Sequence, residues 1–348
     1  MTLTRPIVIG LDGFLLTTQE IQWLSELKPY GVILFSRNID TPTQVKALTA
    51  HIRAILGADT AILIDQEGGR VQRLKPPHWP DLPSALSIGK LWRRHQFHGL
   101  EAANLLGQII GDQLAELGIT HTCGPVVDLF DPAADPVIGD RAFGETPAEV
   151  IPLATAFLDG LSRTGVTGIL KHIPGMGRVT KDTHHDLAVI DTPVEILQHT
   201  DWVPFRAISG SRWVMTAHIV IRAWDDQPVT TSAPSITAIR EHFNDPLIIS
   251  DCLTMAAIDG SIETRVENTL NAGVDLALFS NGSDEARYRA VLAAGEPRMV
   301  REPLEILQPL SSKTRAHQIE KLQARMGTQT KTADPTWDRP SGVDKSTG

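Results

Sequence analysis

GVILFSRNIDTPTQVKALTAHIRAILGADTAILID, residues 31–65, reads as a strand, a helix and a second strand. The runs GVILFS (31–36) and AILID (61–65) are continuously apolar, so a strand built from either buries both of its faces. Between them TPTQVKALTAHIRAILG (41–57) carries a helical pattern that opens on Thr-Pro and closes on Gly. Strands apolar on both faces and joined by a helix are the unit of a parallel sheet covered on both sides.

The same alternation runs along most of the chain. Further candidate strands are PIVIGL (6–11), GPVVDL (124–129), GILKH (168–172), WVMTAH (213–218), PLIISD (246–251) and DLALFS (275–280). Helical patterns lie between most of them: LEAANLLGQIIGDQLAELG, TPAEVIPLATAFLDGLSRTG and TRVENTLNAG. Eight strands so connected predict an α/β chain folded as a single (β/α)₈ barrel of the TIM type. Asp65, Asp128, His172, His218 and Asp251 each close or follow an apolar run, which places ionisable groups on the face where such barrels hold their sites. A doubly wound open sheet would want a glycine-rich phosphate turn after the first strand, and GLDGFLL (10–16) matches one poorly. Residues 1–325 are read as the barrel, and the polar stretch 326–348 as a disordered tail.

Composition narrows the function. The 348 residues are 42% hydrophobic and 21% charged, enough to bury a large core. A net charge of −9 argues against a nucleic-acid surface. No apolar run approaches the length of a membrane span. The first apolar run is broken by Asp12 with no small-residue cleavage site after it, so a cytoplasmic protein is expected. Cys123 and Cys252 have no metal-like spacing and make no disulfide framework.

Three segments concentrate chemistry. In LIDQEGGRVQRL (63–74) a strand ends at Asp65, two glycines permit a sharp turn, and Arg70 and Arg73 follow; a carboxylate beside a guanidinium can clamp neighbouring hydroxyls, or simply form a rim salt bridge. In KHIPGMGRVTKDTHHDL (171–187) Lys171 and His172 stand at a strand end, and Asp182 precedes His184 by two residues, a spacing that can orient an imidazole for proton transfer. The adjacent His184 and His185 raise a metal reading. Neighbouring side chains in an extended chain point apart, however, and neither HxH nor HExxH occurs, so no metal and no cofactor are expected. In LIISDCLTM (247–255) Asp251 ends an apolar strand, as a nucleophile or as a helix N-cap.

Taken together, GVILFSRN, IDQEGGRVQRL, VIGDRAFG, KHIPGMG with DTH, and SDCLTM followed by NAGVDLALFS resemble the β-N-acetylglucosaminidases of glycoside hydrolase family 3, over roughly residues 5–295. Within that family the likeness is to the bacterial cytoplasmic enzymes of peptidoglycan recycling. The resemblance implies a retaining mechanism with Asp251 as nucleophile, His184 as acid/base and Asp182 as its partner. It implies that Asp65, Arg73, Arg141, Lys171 and His172 hold an N-acetylglucosamine ring, and that the substrate is a small carbohydrate, an N-acetylglucosaminyl muropeptide or a chitin fragment. A monomer is expected, since a closed barrel needs no partner to complete its core. Two positions depart from the family's usual pattern: Met176 stands where PGHG has histidine, and Cys252 where a small polar residue follows the nucleophile. Other readings of the site are phosphorolysis of the same glycoside, a sugar-binding barrel without turnover, and a metal-dependent hydrolase.

Overall fold

The computed structural model describes residues 3–180, 187–208, 211–300 and 312–327. Its barrel strands are β1 (Arg5–Gly10), β2 (Pro29–Leu34), β3 (Ala61–Ile64), β4 (His121–Thr122), β5 (Thr167–Gly168 continued in Leu170–Ile173), β6 (Trp213–Thr216), β7 (Leu247–Cys252) and β8 (Leu276–Phe279). Every pairing among them is parallel, in the order β5-β4-β3-β2-β1-β8-β7-β6-β5. The ring closes because the two segments of β5, separated only by Ile169, pair with β4 on one side and β6 on the other.

Helices connect and cover the strands: α1 (Thr18–Leu27), α2 (Pro42–Leu56), α3 (Ala85–Arg94), α4 (Gln96–Glu116), α5 (Pro147–Ser162), α6 (Val194–His199), α7 (Val203–Ala207), α8 (Ala233–His242), α9 (Ile262–Asn271), α10 (Asp284–Ala293) and α11 (Ser312–Met326). Thr41 caps α2 by accepting from the Gln44 N–H, with Pro42 at the first helical position, as its sequence predicts. Successive strand residues serve opposite faces: Val8, Ile33, Leu63, Met215, Ile249 and Leu278 fill the barrel, while Ile7, Ile9, Val32, Leu34, Ile62 and Ile64 pack against the helices. This two-sided burial is why these strands read as unbroken apolar runs. Among the described residues no helix is long and apolar enough to cross a membrane.

One strand is displaced from its expected place. The fourth strand is His121–Thr122 rather than 124–129, and beyond it Val126 makes a single bridge to Lys171. Pro125 has no N–H to offer a ladder, so pairing cannot run on through the apolar stretch. Of the tail expected at 326–348, Met326 still belongs to α11, and residues from 328 onward lie outside the described residues.

The displaced strand also puts a histidine inside the barrel. His121 is fully buried against Trp213, with ring centroids 4.8 Å apart, and its Nδ1 meets the Thr120 hydroxyl at 2.8 Å. Burial holds its imidazole down at about 3, against an ordinary 6.5. The unfolded chain therefore takes up a proton that the folded one refuses. This contribution to stability is complete above 6.5 and is lost as pH falls toward about 3. His121→Leu is expected to flatten the acid side of the stability–pH curve by up to about 1.4 kcal/mol per pH unit, measured by urea unfolding. An unchanged slope would contradict it.

Candidate active site

The strands' C-terminal ends bring together most of the residues singled out from the sequence. Asp65 follows β3, and its two oxygens are divided between partners: Oδ1 accepts from Lys171 Nζ at 3.0 Å and Oδ2 from Arg73 Nη2 at 3.0 Å. Arg73 is steadied by the Phe35 ring, whose centroid lies 5.3 Å from the guanidinium carbon. Arg70, the other arginine of the loop, turns away to Asp140 and the carbonyls of Pro136, Val137 and Ile138.

Glu67 is the group the sequence reading passed over. It binds Arg141 through two parallel bonds, Nε–Oε2 and Nη2–Oε1, each 2.9 Å, and its Oε1 also lies 2.6 Å from Lys171 Nζ. One carboxylate thus ties the loop carrying Arg141 to the strand carrying Lys171. A usable signal was present: Glu67 stands two residues beyond Asp65, and in extended chain that spacing returns to the same face.

The electrostatics of this cluster are mutual. Burial by itself would raise both carboxyls, but Lys171 and Arg73 outweigh it at Asp65 and hold that group below the usual carboxylate range. At Glu67 burial is outweighed by Arg141 and then Lys171, which bring it down to about 2. Burial opposes the charge on Lys171 too, yet Asp65 and Glu67 keep it protonated well above the ordinary lysine range. Asp65, Glu67, Lys171 and Arg141 are thus each held in the charged form by their neighbours, against the cost of burial.

His172 is held by Asp128. One oxygen of Asp128 meets both His172 Nδ1, at 2.7 Å, and the His172 N–H, at 3.0 Å, while the other accepts from the Met176 N–H at 2.8 Å. Its Nε2 faces Arg141 Nη2 at 3.4 Å. Asp128 was legible as an ionisable residue after an apolar run, but its hold on two backbone N–H groups comes only with the fold. Met176 has its side chain in the core, so apolar packing stands where the family's usual histidine would place a polar group. Gly177 is needed for close approach: a Cβ there would lie 2.0 Å from the Leu129 carbonyl oxygen.

Asp251 lies near the end of β7 and is partly exposed. Burial pushes its carboxyl up; His218, His172, the Cys252 N–H and Lys171 together push it down further, so it sits below the ordinary carboxylate range. Its Oδ1 accepts from the Cys252 N–H at 2.7 Å. The Cys252 sulfur stands 2.8 Å from the Ser280 hydroxyl and 3.0 Å from that of Thr254, bonds a small polar residue could also make. Asp182 and His184, with His185, lie outside the described residues. Among the described residues no cluster of three His, Cys, Asp or Glu side chains could hold a metal ion.

Known proteins match the chain in sequence and in fold. The profile of the Glycosyl hydrolase family 3 N terminal domain covers residues 13–301. The chain belongs to glycoside hydrolase family 3. Among family relatives, the β-hexosaminidase of Chromobacterium violaceum is 37% identical over 330 residues, covering 92% of this chain and 91% of that protein. The crystal structure of NagZ from Neisseria gonorrhoeae superposes with a TM-score of 0.77 at 29% identity, covering 93% of this chain and 96% of that one. A family 3 β-N-acetylglucosaminidase from Paenibacillus also gives 0.77, at 27% identity; this chain spans 65% of that longer one. The chain is therefore a glycoside hydrolase of the β-N-acetylhexosaminidase kind, acting on a small carbohydrate.

Proposed function

We propose that this enzyme is a retaining exo-β-N-acetylglucosaminidase that removes terminal N-acetylglucosamine from N-acetylglucosaminyl-1,6-anhydromuramyl peptides in cell-wall recycling. The observation that carries the reading is Asp251: a partly exposed carboxylate at a barrel strand end, kept ionised by its surroundings, is equipped to attack an anomeric carbon. Asp65, Arg73, Arg141, Lys171 and His172 then hold the sugar ring. Asp65 and Arg73 offer paired acceptor and donor atoms to vicinal hydroxyls.

In the first step an Asp251 oxygen bonds to C1 as the glycosidic C1–O bond breaks, and His184, oriented by Asp182, gives its proton to the departing oxygen. In the second, water attacks C1, His184 takes the water's proton, and the bond to Asp251 breaks, returning the sugar with its original configuration. No metal or cofactor enters either step. A single closed barrel, with no open sheet edge, is the proposed working unit.

The test compares para-nitrophenyl β-N-acetylglucosaminide with the β-glucoside, and the anhydromuropeptide with chitobiose, each in phosphate and in phosphate-free buffer. The proposal expects turnover of the N-acetyl substrates only, preference for the muropeptide, and free sugar in both buffers. Glucoside turnover or a preference for chitobiose contradicts the substrate assignment, and sugar 1-phosphate contradicts hydrolysis.

A further inference from the structure

The sheet holds the backbone around Asp251 on the β8 side, where Cys252 pairs with Leu278 and the Leu253 N–H donates to the Leu278 carbonyl at 2.9 Å. The β6–β7 ladder ends at the pair Met215–Ile249, and the β7–β8 register breaks between Ile249 and Cys252. On the β6 side the segment that carries the carboxylate therefore runs past the last ladder pair. Three buried polar side chains stand on that side: Thr216 at the end of β6, His218 just beyond it, and Thr230 in the 3₁₀ turn Val229–Thr231.

Their bonds form one chain. The Asp251 N–H donates to Thr216 Oγ1 at 3.4 Å, and the hydroxyls of Thr216 and Thr230 meet at 2.7 Å. Thr230 Oγ1 meets His218 Nδ1 at 2.8 Å, and His218 Nε2 lies 3.1 Å from the Cys252 carbonyl oxygen. A carbonyl only accepts, so Nε2 carries the hydrogen there. Nδ1 then takes the Thr230 proton when the ring is neutral and gives one when it is charged, and the ring stays tied at both ends in either state. The chain begins on the N–H of Asp251 and ends on the carbonyl of Cys252. Burying three polar groups costs free energy that apolar side chains of the same size would not, and such local departures gather where function needs a fixed geometry.

We propose that Thr216, Thr230 and His218 are positioning residues that clasp the backbone on either side of the Asp251–Cys252 peptide, at the Asp251 N–H and the Cys252 carbonyl, and keep the carboxylate aimed at the anomeric carbon. This rests on the reading of Asp251 as the nucleophile. None of the three needs to touch the sugar. Their effect falls on the rate of glycosyl transfer rather than on binding.

The experiment is covalent labelling by 5-fluoro-N-acetylglucosaminyl fluoride, whose glycosyl-enzyme turns over slowly, with the labelled residue located by peptide mass spectrometry. Thr230→Val keeps the side chain's shape and removes its hydroxyl; Thr230→Ser keeps the hydroxyl. Thr230→Val is expected to label Asp251 about 10–100-fold more slowly than wild type, with affinity for N-acetylglucosamine changed less than about twofold and Thr230→Ser close to wild type. Thr216→Val, which breaks the chain one link earlier, gives the same split if Thr230→Val fails to fold. Labelling of Asp251 at the wild-type rate in the valine variants overturns the clasp alone. So does a loss of sugar affinity in proportion to rate, which marks a merely structural role. A wild type that is not labelled at Asp251 overturns the nucleophile assignment, and the clasp with it.

Discussion

Asp251→Asn is expected to lower kcat/KM for para-nitrophenyl β-N-acetylglucosaminide by about 10⁴–10⁶-fold, the loss seen when a covalent nucleophile is removed from an otherwise intact site. The amide keeps the carboxylate's shape and an oxygen able to accept from the Cys252 N–H, so the local backbone bond survives. It loses the charge and nearly all nucleophilicity. In barrier terms the change is about 5–8 kcal/mol, far beyond any effect of repacking at a partly exposed position. The measurement is initial rate beside the thermal midpoint, since a folded but inactive variant isolates chemistry from stability. Activity within tenfold of wild type would sink the assignment of Asp251. Asp251→Ala with added azide extends the test: an azide ion entering the vacated space from the nucleophile's side would yield the α-glycosyl azide, as a retaining mechanism requires.

Glu67→Gln is expected to have the largest effect on stability. Glu67 is the shared anion between Arg141 and Lys171; Glu67 and Lys171 are buried, and Arg141 is partly so. Neutralising it leaves a buried lysine and a partly buried arginine close together without the carboxylate they share. Removing one partner of a buried ion pair typically costs 3–5 kcal/mol, roughly 5–15 °C in midpoint for a domain of this size. The effect should depend on pH in a definite sense. The Glu67 carboxyl is depressed from 4.5 to about 2, so its stabilisation is fully present above 4.5 and is lost as pH falls toward 2. The gap between wild type and Glu67→Gln therefore narrows over that window. Scanning calorimetry from pH 7 to acid checks both points, and a midpoint within about 2 °C of wild type at neutral pH would contradict the prediction.

The barrel was legible because its strands are buried on both faces, so GVILFS, AILID and PLIISD stand out as unbroken apolar runs, and TPTQVKALTAHIRAILG between the first two carries its own cap. Asp65, Arg73, Lys171 and His172 were legible as site candidates because strand ends and glycine turns mark the functional face of such a fold. Helices with less regular apolar patterns, among them α6, α7 and α11, were not read from sequence. Their burial is decided by what lies beneath them, as where α11 sets Leu322 into the core and Lys321 and Arg325 against Glu101 of α4.

Some features belong to neither periodicity nor motif. GPVVDL has the composition of a strand, yet pairing with β3 begins at His121, because register between strands is settled by neighbours and Pro125 cannot continue the ladder. The tie from Glu67 to Arg141 spans 74 residues, that from Asp128 to His172 spans 44, and the chain from Thr230 through His218 reaches the end of β7 at Cys252. Local sequence determines which residues can ionise, cap or turn, since those properties reside in the residue and its near neighbours. Which carboxylate meets which cation, and which peptide a buried hydroxyl secures, depends on distances that exist only once the ring of strands has closed.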